Sequence, residues 1–130
     1  MTTNGQGNAH EISLAVAKEL INRFQNEKSN ILRSDISAGT VFCTAESFER
    51  SIVDRIMVQT DCVGLRIYYG MKEDLSIHAI LVGYNSSGAD ILPSSIINEN
   101  ECVEDGDGVI GEDATRCPPV CPPPGCSLIS

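Results

Sequence analysis

Three observations place this sequence in the α+β class. Two segments carry apolar residues every three or four positions, one stretch alternates strictly, and an apolar run answers that stretch after a short polar turn. The expected architecture is two helices packed on a small antiparallel sheet of two to three strands. A chain of 130 residues suffices for one modest core, so its six cysteines are not required to hold the fold together. The expected organisation is a flexible N-terminus (1–10), an α+β domain (11–92), an acidic linker (93–116) and a Cys/Pro-rich tail (117–130), the linker and tail being disordered.

Residues 1–10 are polar and rich in Gly and Asn. Ser13 then has the chemistry of an N-cap, with Ile12 before it and Ala17 placed to pack as a hydrophobic staple. From Leu14 to about Lys28 the residues Val16, Ala17, Leu20, Ile21 and Phe24 recur on one face, and Glu19, Arg23, Asn26 and Glu27 form the wet side. The stretch 26–37 is polar and interrupted, and Ile31, Leu32 and Ile36 can tuck back as a short turn. Thr44 is a suitable cap for a second helix over 45–59, in which Phe48, Ile52 and Ile56 share a face. Glu46 and Glu49 would then stand in its first turn, where the helix dipole favours acids.

The clearest strand follows. Leu65, Ile67 and Tyr69 alternate with Arg66 and Tyr68, Met71 to Asp74 turn, and LSIHAILVGYN runs back. The second half of that return strand is apolar on both sides, which suits a central or covered strand. Asn85 to Gly88 is turn chemistry, and Ala89 to Leu92 is the candidate third strand. So small a sheet leaves an open edge, and nothing between Leu75 and Tyr84 supplies the Lys or Pro that blocks edge pairing. Self-association by strand addition is therefore expected. Tyr68, Tyr69 and Tyr84, on adjacent strands, are candidates for an exposed aromatic patch that meets a partner.

The net charge of −9 is unevenly placed. Residues 1–92 hold eight Lys/Arg against eleven Asp/Glu, whereas 93–130 hold only Arg116 against seven acids. Such a field repels nucleic acid and anionic membranes, and no basic stripe occurs elsewhere. The longest apolar run, 79–82, is too short to span a bilayer. The first twelve residues show no secretory signal, so the expectation is a cytoplasmic chain with reduced thiols, leaderless export being the alternative.

The segment CPPVCPPPGC, 117–126, sets three cysteines among five prolines. A tetrahedral zinc needs sulfurs roughly 3.8 Å apart. Proline-rich chain prefers polyproline II, rising about 3.1 Å per residue, which would hold Cys117 and Cys121 about 12 Å apart. Gly125 offers the easy bend, so Cys121 with Cys126 is the nearest thing to a local pair. The expectation is that Cys117, Cys121 and Cys126 each meet a partner elsewhere: Cys102, Cys43, Cys62 or another chain. The acidic stretch around Asp105-Gly106-Asp107-Gly108-Val109-Ile110 matches the middle of an EF-hand loop, but Val103 and Ala114 stand where its first and last carboxylates belong. It reads as a solvated linker.

CVGLRIYYG followed by LVGYNSSGADI resembles small uncharacterised proteins of Bacteroidota genomes. These pair a Cys-x-Gly-x-Arg-x-Tyr-Tyr strand with a Leu-Val-Gly strand and end in a short Cys/Pro segment. The resemblance covers about 46–92 and the style of the tail, and it implies no activity for any residue. For catalysis the one nucleophile to name is Cys43, beside the expected cap of the second helix, with His78 or His10 as base; nothing in the spacing ties them together. No phosphate loop and no paired carboxylates occur, and no cofactor is expected. The reading is a non-enzymatic module that self-associates or binds a protein partner, with tail cysteines making intermolecular or long-range contacts. The alternatives are a precursor peptide with a modified Cys-containing end, and metal or redox binding by the tail.

Overall fold

The computed structural model describes residues 8–93 and 108–129 and divides into two units. One unit is Met1–Ala38 with Pro122–Ser130; the other is Gly39–Cys121.

In the first unit, α1 spans Leu14–Glu27. The Ser13 hydroxyl accepts a hydrogen bond from the Val16 N–H at 3.1 Å, satisfying one of the amides that a helix start leaves orphaned. A 3₁₀ turn, Lys28–Ile31, closes it. None of the residues of α1 is buried, and Leu14, Val16 and Leu20 of the apolar stripe are exposed. Leu128 and Ile129 line a groove with Ala15 and Ile21, so the chain end lies beside α1.

The second unit holds α2 (Ala38–Val41, entering from the first unit), β1 (Ala45–Ser47), α3 (Arg50–Met57), β2 (Cys62–Met71), β3 (Ile77–Asn85), β4 (Ile110–Gly111) and β5 (Thr115–Cys117). β2, β3 and β4 form one antiparallel sheet in that order, and β1 pairs with β5 in a second. The hairpin of β2 and β3 runs in register from Gly64 opposite Tyr84 to Met71 opposite Ile77, with a bulge between Cys62 and Gly64. Ile56 of α3 is wholly buried, and its Cγ2 would stand 3.1 Å from a Cβ on Gly83, so α3 lies over the β3 side of the sheet. Val41, Leu81, Val82, Ile91 and Cys117 are the other buried apolar residues among those described.

The α+β class holds, with differences in detail. The expected second helix over 45–59 is shorter, beginning at Arg50 with Glu49 in the cap position. Thr44 does not cap it, and Glu46 is in β1 rather than a helical first turn. Glu46 is drawn away by distant partners: its carboxylate accepts from the Ala79 N–H at 3.1 Å and pairs with Arg116 at 3.1 Å. A charge-assisted tertiary contact outweighs the few tenths of a kcal/mol of local helix preference. α3 is the helix found on the sheet; α1 belongs to the other unit.

The third strand is also displaced. Ala89–Leu92 makes only isolated bridge contacts, Asp90 lying opposite Tyr84, and the third partner of the sheet is Ile110–Gly111. The described part of the expected linker, from Gly108, returns to the sheet at β4 and to β1 at β5. Gly108 marks the return: a Cβ there would stand 2.3 Å from the Leu92 carbonyl carbon, a close approach that only glycine permits. Leu92 and Gly108 therefore sit side by side. Cys102 and most of the EF-hand-like stretch lie outside the described residues.

Candidate interaction surface

The hydrogen-bonding edges of the hairpin are the starting point, because each backbone N–H and C=O must find a partner or meet water. β3 is occupied on both edges. On one side it has β2 along its whole length. On the other, three different structures take turns. Ala89 to Ile91 covers the Gly83–Asn85 end, where the Ile91 N–H donates to the Gly83 carbonyl at 2.8 Å. β4 covers Leu81 and Val82. Where β4 stops, two side chains replace a strand: Glu46 accepts from the Ala79 N–H, and the Arg116 guanidinium donates to the Ile77 carbonyl at 2.9 Å.

β2 differs. Among the described residues nothing pairs with its outer edge. Its face beside α3 is equally open, with Leu65, Ile67, Tyr69 and Met71 exposed and Tyr69 at 80 %, and Val63 in the bulge is exposed as well. Ten residues, six of them Val, Leu, Ile, Tyr or Met and one of them charged, Arg66, thus form an edge strand that is open among the described residues. Natural sheets ordinarily blunt such edges with Lys, Pro or a cover. The open edge anticipated from the sequence is here, on β2, and not on the 75–84 strand.

The tyrosines do not form one patch. Successive side chains alternate across a sheet, so Tyr68 lies on the face opposite Tyr69. Tyr68 donates its hydroxyl hydrogen to Asp90, and Arg66 is held by Asp90 and the Gly88 carbonyl. The Arg66 guanidinium lies 4.7 Å from the centroid of the Tyr84 ring, a cation–π contact. Accepting these bonds, Asp90 holds the Tyr68 phenol proton, raising its pKa above the ordinary tyrosine value, and also raises that of Arg66. Tyr68 and Tyr84 are therefore parts of an anchored polar face, and Tyr69 alone belongs to the open apolar one.

The predicted tail cysteines are likewise redistributed. Cys117 and Cys121 form a disulfide, with Cα atoms 4.7 Å apart, in place of the extended spacing expected from the prolines. The Cys117–Pro118 and Pro118–Pro119 peptides are cis, and the Val120 N–H donates to the Arg116 carbonyl at 3.0 Å, so the chain doubles back instead of running as polyproline II. Gly125 does bend, in the left-handed region, but Cys126 stays free and exposed. Cys117 is buried on β5, where its carbonyl accepts from the Thr44 N–H.

A second polar cluster flanks β3. His78 and Ser76, both buried, line a cleft of about 340 Å³ with Cys43, Lys72, Asp74 and Arg116. No spacing along the chain joins Cys43 to His78, and the fold brings them to one cleft. The ring is nevertheless engaged at both nitrogens. A guanidinium can only donate, so Arg116, 3.0 Å from Nδ1, assigns that nitrogen as acceptor. Nε2 then carries the hydrogen and donates to Ser76 Oγ at 2.8 Å, and the Ser76 hydroxyl donates to Asp74 at 2.6 Å. Those bonds hold the Asp74 carboxyl below its ordinary pKa. The chain Arg116, His78, Ser76, Asp74 engages both ring nitrogens, and its Arg116 end also donates to the Ile77 carbonyl at the edge of β3. Glu46, Ser76, Asp90 and Arg116 carry these networks, and no local motif marks any of them.

Among the described residues no group of three or more His, Cys, Asp and Glu side chains is placed to hold a metal ion, and no helix is long and apolar enough to cross a membrane. In comparisons with known proteins, no family model matches the chain, and no curated protein or solved structure matches it significantly.

Proposed function

We propose that this chain is a non-enzymatic interaction module that works by self-association, and that β2 is the contact element. The observation that carries the reading is the contrast at the hairpin. One arm has both edges occupied, whereas the other presents an edge with no partner among the described residues and five exposed apolar side chains. An edge of this kind is a template for another strand. The Cys117–Cys121 pairing supports a narrower part for the tail than a three-cysteine staple, with Cys126 as its one exposed free thiol among the described residues.

Sedimentation velocity on the full chain over a wide concentration range tests this, with the free thiols alkylated so that no new disulfide contributes. The expected result is a reversible, concentration-dependent increase in mass. A single monomeric species at every concentration would overturn the reading.

A further inference from the structure

Resting on that reading, we infer that the occupant of the β2 edge is the β2 strand of a second copy, antiparallel about a two-fold axis at Ile67. The argument begins with the direction of the backbone groups. In an antiparallel ladder, pairs that exchange hydrogen bonds alternate with pairs whose groups point away from each other. The odd residues of β3 point away from β2: Ala79 donates to Glu46, Ile77 accepts from Arg116, and Gly83 accepts from Ile91. The bond from the Lys72 N–H to the Ser76 carbonyl, an even pair across the turn, agrees. Their partners on β2 obey the same alternation, so Leu65, opposite Gly83, Ile67, opposite Leu81, Tyr69, opposite Ala79, and Met71, opposite Ile77, direct their own N–H and C=O groups to the free edge.

A strand that pairs here must present hydrogen-bonding groups at the same spacing, and β2 itself does so. With Ile67 on the axis, Ile67 bonds Ile67 of the second copy, and Leu65 and Tyr69 exchange bonds with the second copy's Tyr69 and Leu65. The three central outward-facing residues are used, and Met71 falls opposite Val63 at the bulge. On the side chains, Leu65 meets Tyr69, Val63 meets Met71, Gly64 meets Gly70 and Arg66 meets Tyr68. The segment from Val63 to Met71 is thus balanced about its middle in size and polarity.

The charge selects this register from its neighbours. Moving the axis one position back, to Arg66, keeps the hydrogen-bond alternation but sets the only charge of the strand directly opposite itself, a destabilising pair. Moving it one position forward, to Tyr68, loses the pairing of Val63 and Gly64. About Ile67, each Arg66 stays beside its own Asp90 and faces a tyrosine. The product is a continuous six-stranded sheet, with the apolar stripes of both copies side by side between the two α3 helices.

The test exchanges charges across the inferred register. Leu65→Lys and Tyr69→Glu each place two unmatched charges beside the axis, one per copy, and should weaken association roughly tenfold or more. The double variant L65K/Y69E sets Lys opposite Glu twice and should recover most of the wild-type affinity. Sedimentation equilibrium on alkylated full chain reads this, with far-UV circular dichroism to show that the variants fold. Wild-type protein that associates unaffected by either substitution would overturn the inference and leave self-association standing through another surface. Two weakened single variants without recovery in the double would overturn the register. Amide exchange is an independent measurement: protection of the Leu65, Ile67 and Tyr69 N–H groups should rise with protein concentration. Concentration-independent exchange at all three would also overturn the inference.

Discussion

β2 and β3 are the two arms of one hairpin, and both are rich in Ile, Leu, Val and Tyr, yet they meet opposite fates. β3 buries Leu81 and Val82 and has each stretch of its outer edge occupied, by Ala89 to Ile91, by β4 and by two charged side chains. β2 keeps five apolar side chains in solvent and an edge with no partner among the described residues. Hydrophobicity does not distinguish the strands. Position in the sheet does, because a central strand is covered by whatever its neighbours bring and an edge strand waits for something outside.

The largest effect that would break this comparison is at the core. Ile56→Ala should cost about 2–5 kcal/mol through lost burial and a cavity. Ile67→Ala, measured where the chain is monomeric, should fall within about 0.5 kcal/mol of wild type, as surface changes do. Chemical denaturation with both variants checks the pair. Equal losses would mean that the β2 face is covered in the monomer.

Next is the side-chain closure of β3. Arg116→Met removes the donor to Ile77 and His78 and strands the Glu46 carboxylate, which is 15 % exposed. A loss of roughly 2–3 kcal/mol is expected, below the full cost of an unpaired buried charge because water reaches part of the site. The same measurement should show partial recovery in Glu46→Gln/Arg116→Met, where no charge is left unmatched.

The smallest effect is the anchored polar face of β2. Its hydrogen bond to Asp90 raises the Tyr68 pKa above the ordinary tyrosine value. The folded state therefore holds this proton more tightly than the unfolded one. The resulting contribution to stability is present below the ordinary tyrosine pKa and is lost as pH rises through the raised value. Alkaline absorbance titration should show Tyr68 titrating above the ordinary tyrosine value, and Asp90→Asn should bring it back toward that value. An unchanged titration in that variant would remove Asp90 as the anchor.

Much of the hairpin is legible in the chain. The alternation from Leu65 to Tyr69, the polar turn and the two-sided apolar return strand all recur in β2 and β3. So does α1, with Ser13 as its cap. The site is less legible. The three tyrosines separate onto two faces by simple alternation, which could have been counted, whereas the pairing of Cys117 with Cys121 contradicts the extended chain that prolines favour. Glu46 looked like a helix-start acid because its nearest neighbours suit one; its true partner, Arg116, is 70 residues away.

The sequence by itself determined what depends on a few adjacent residues: the period of α1, its cap, the hairpin and the apolar character of both arms. Only the tertiary structure decided which arm is central, which chain segments close its edge and which apolar row stays open. The physical reason is range. Periodicity and capping act within a turn or two of chain, but an edge is closed by hydrogen bonds from Ile91, β4 and Arg116, and the last two reach β3 only once the chain has returned at Gly108.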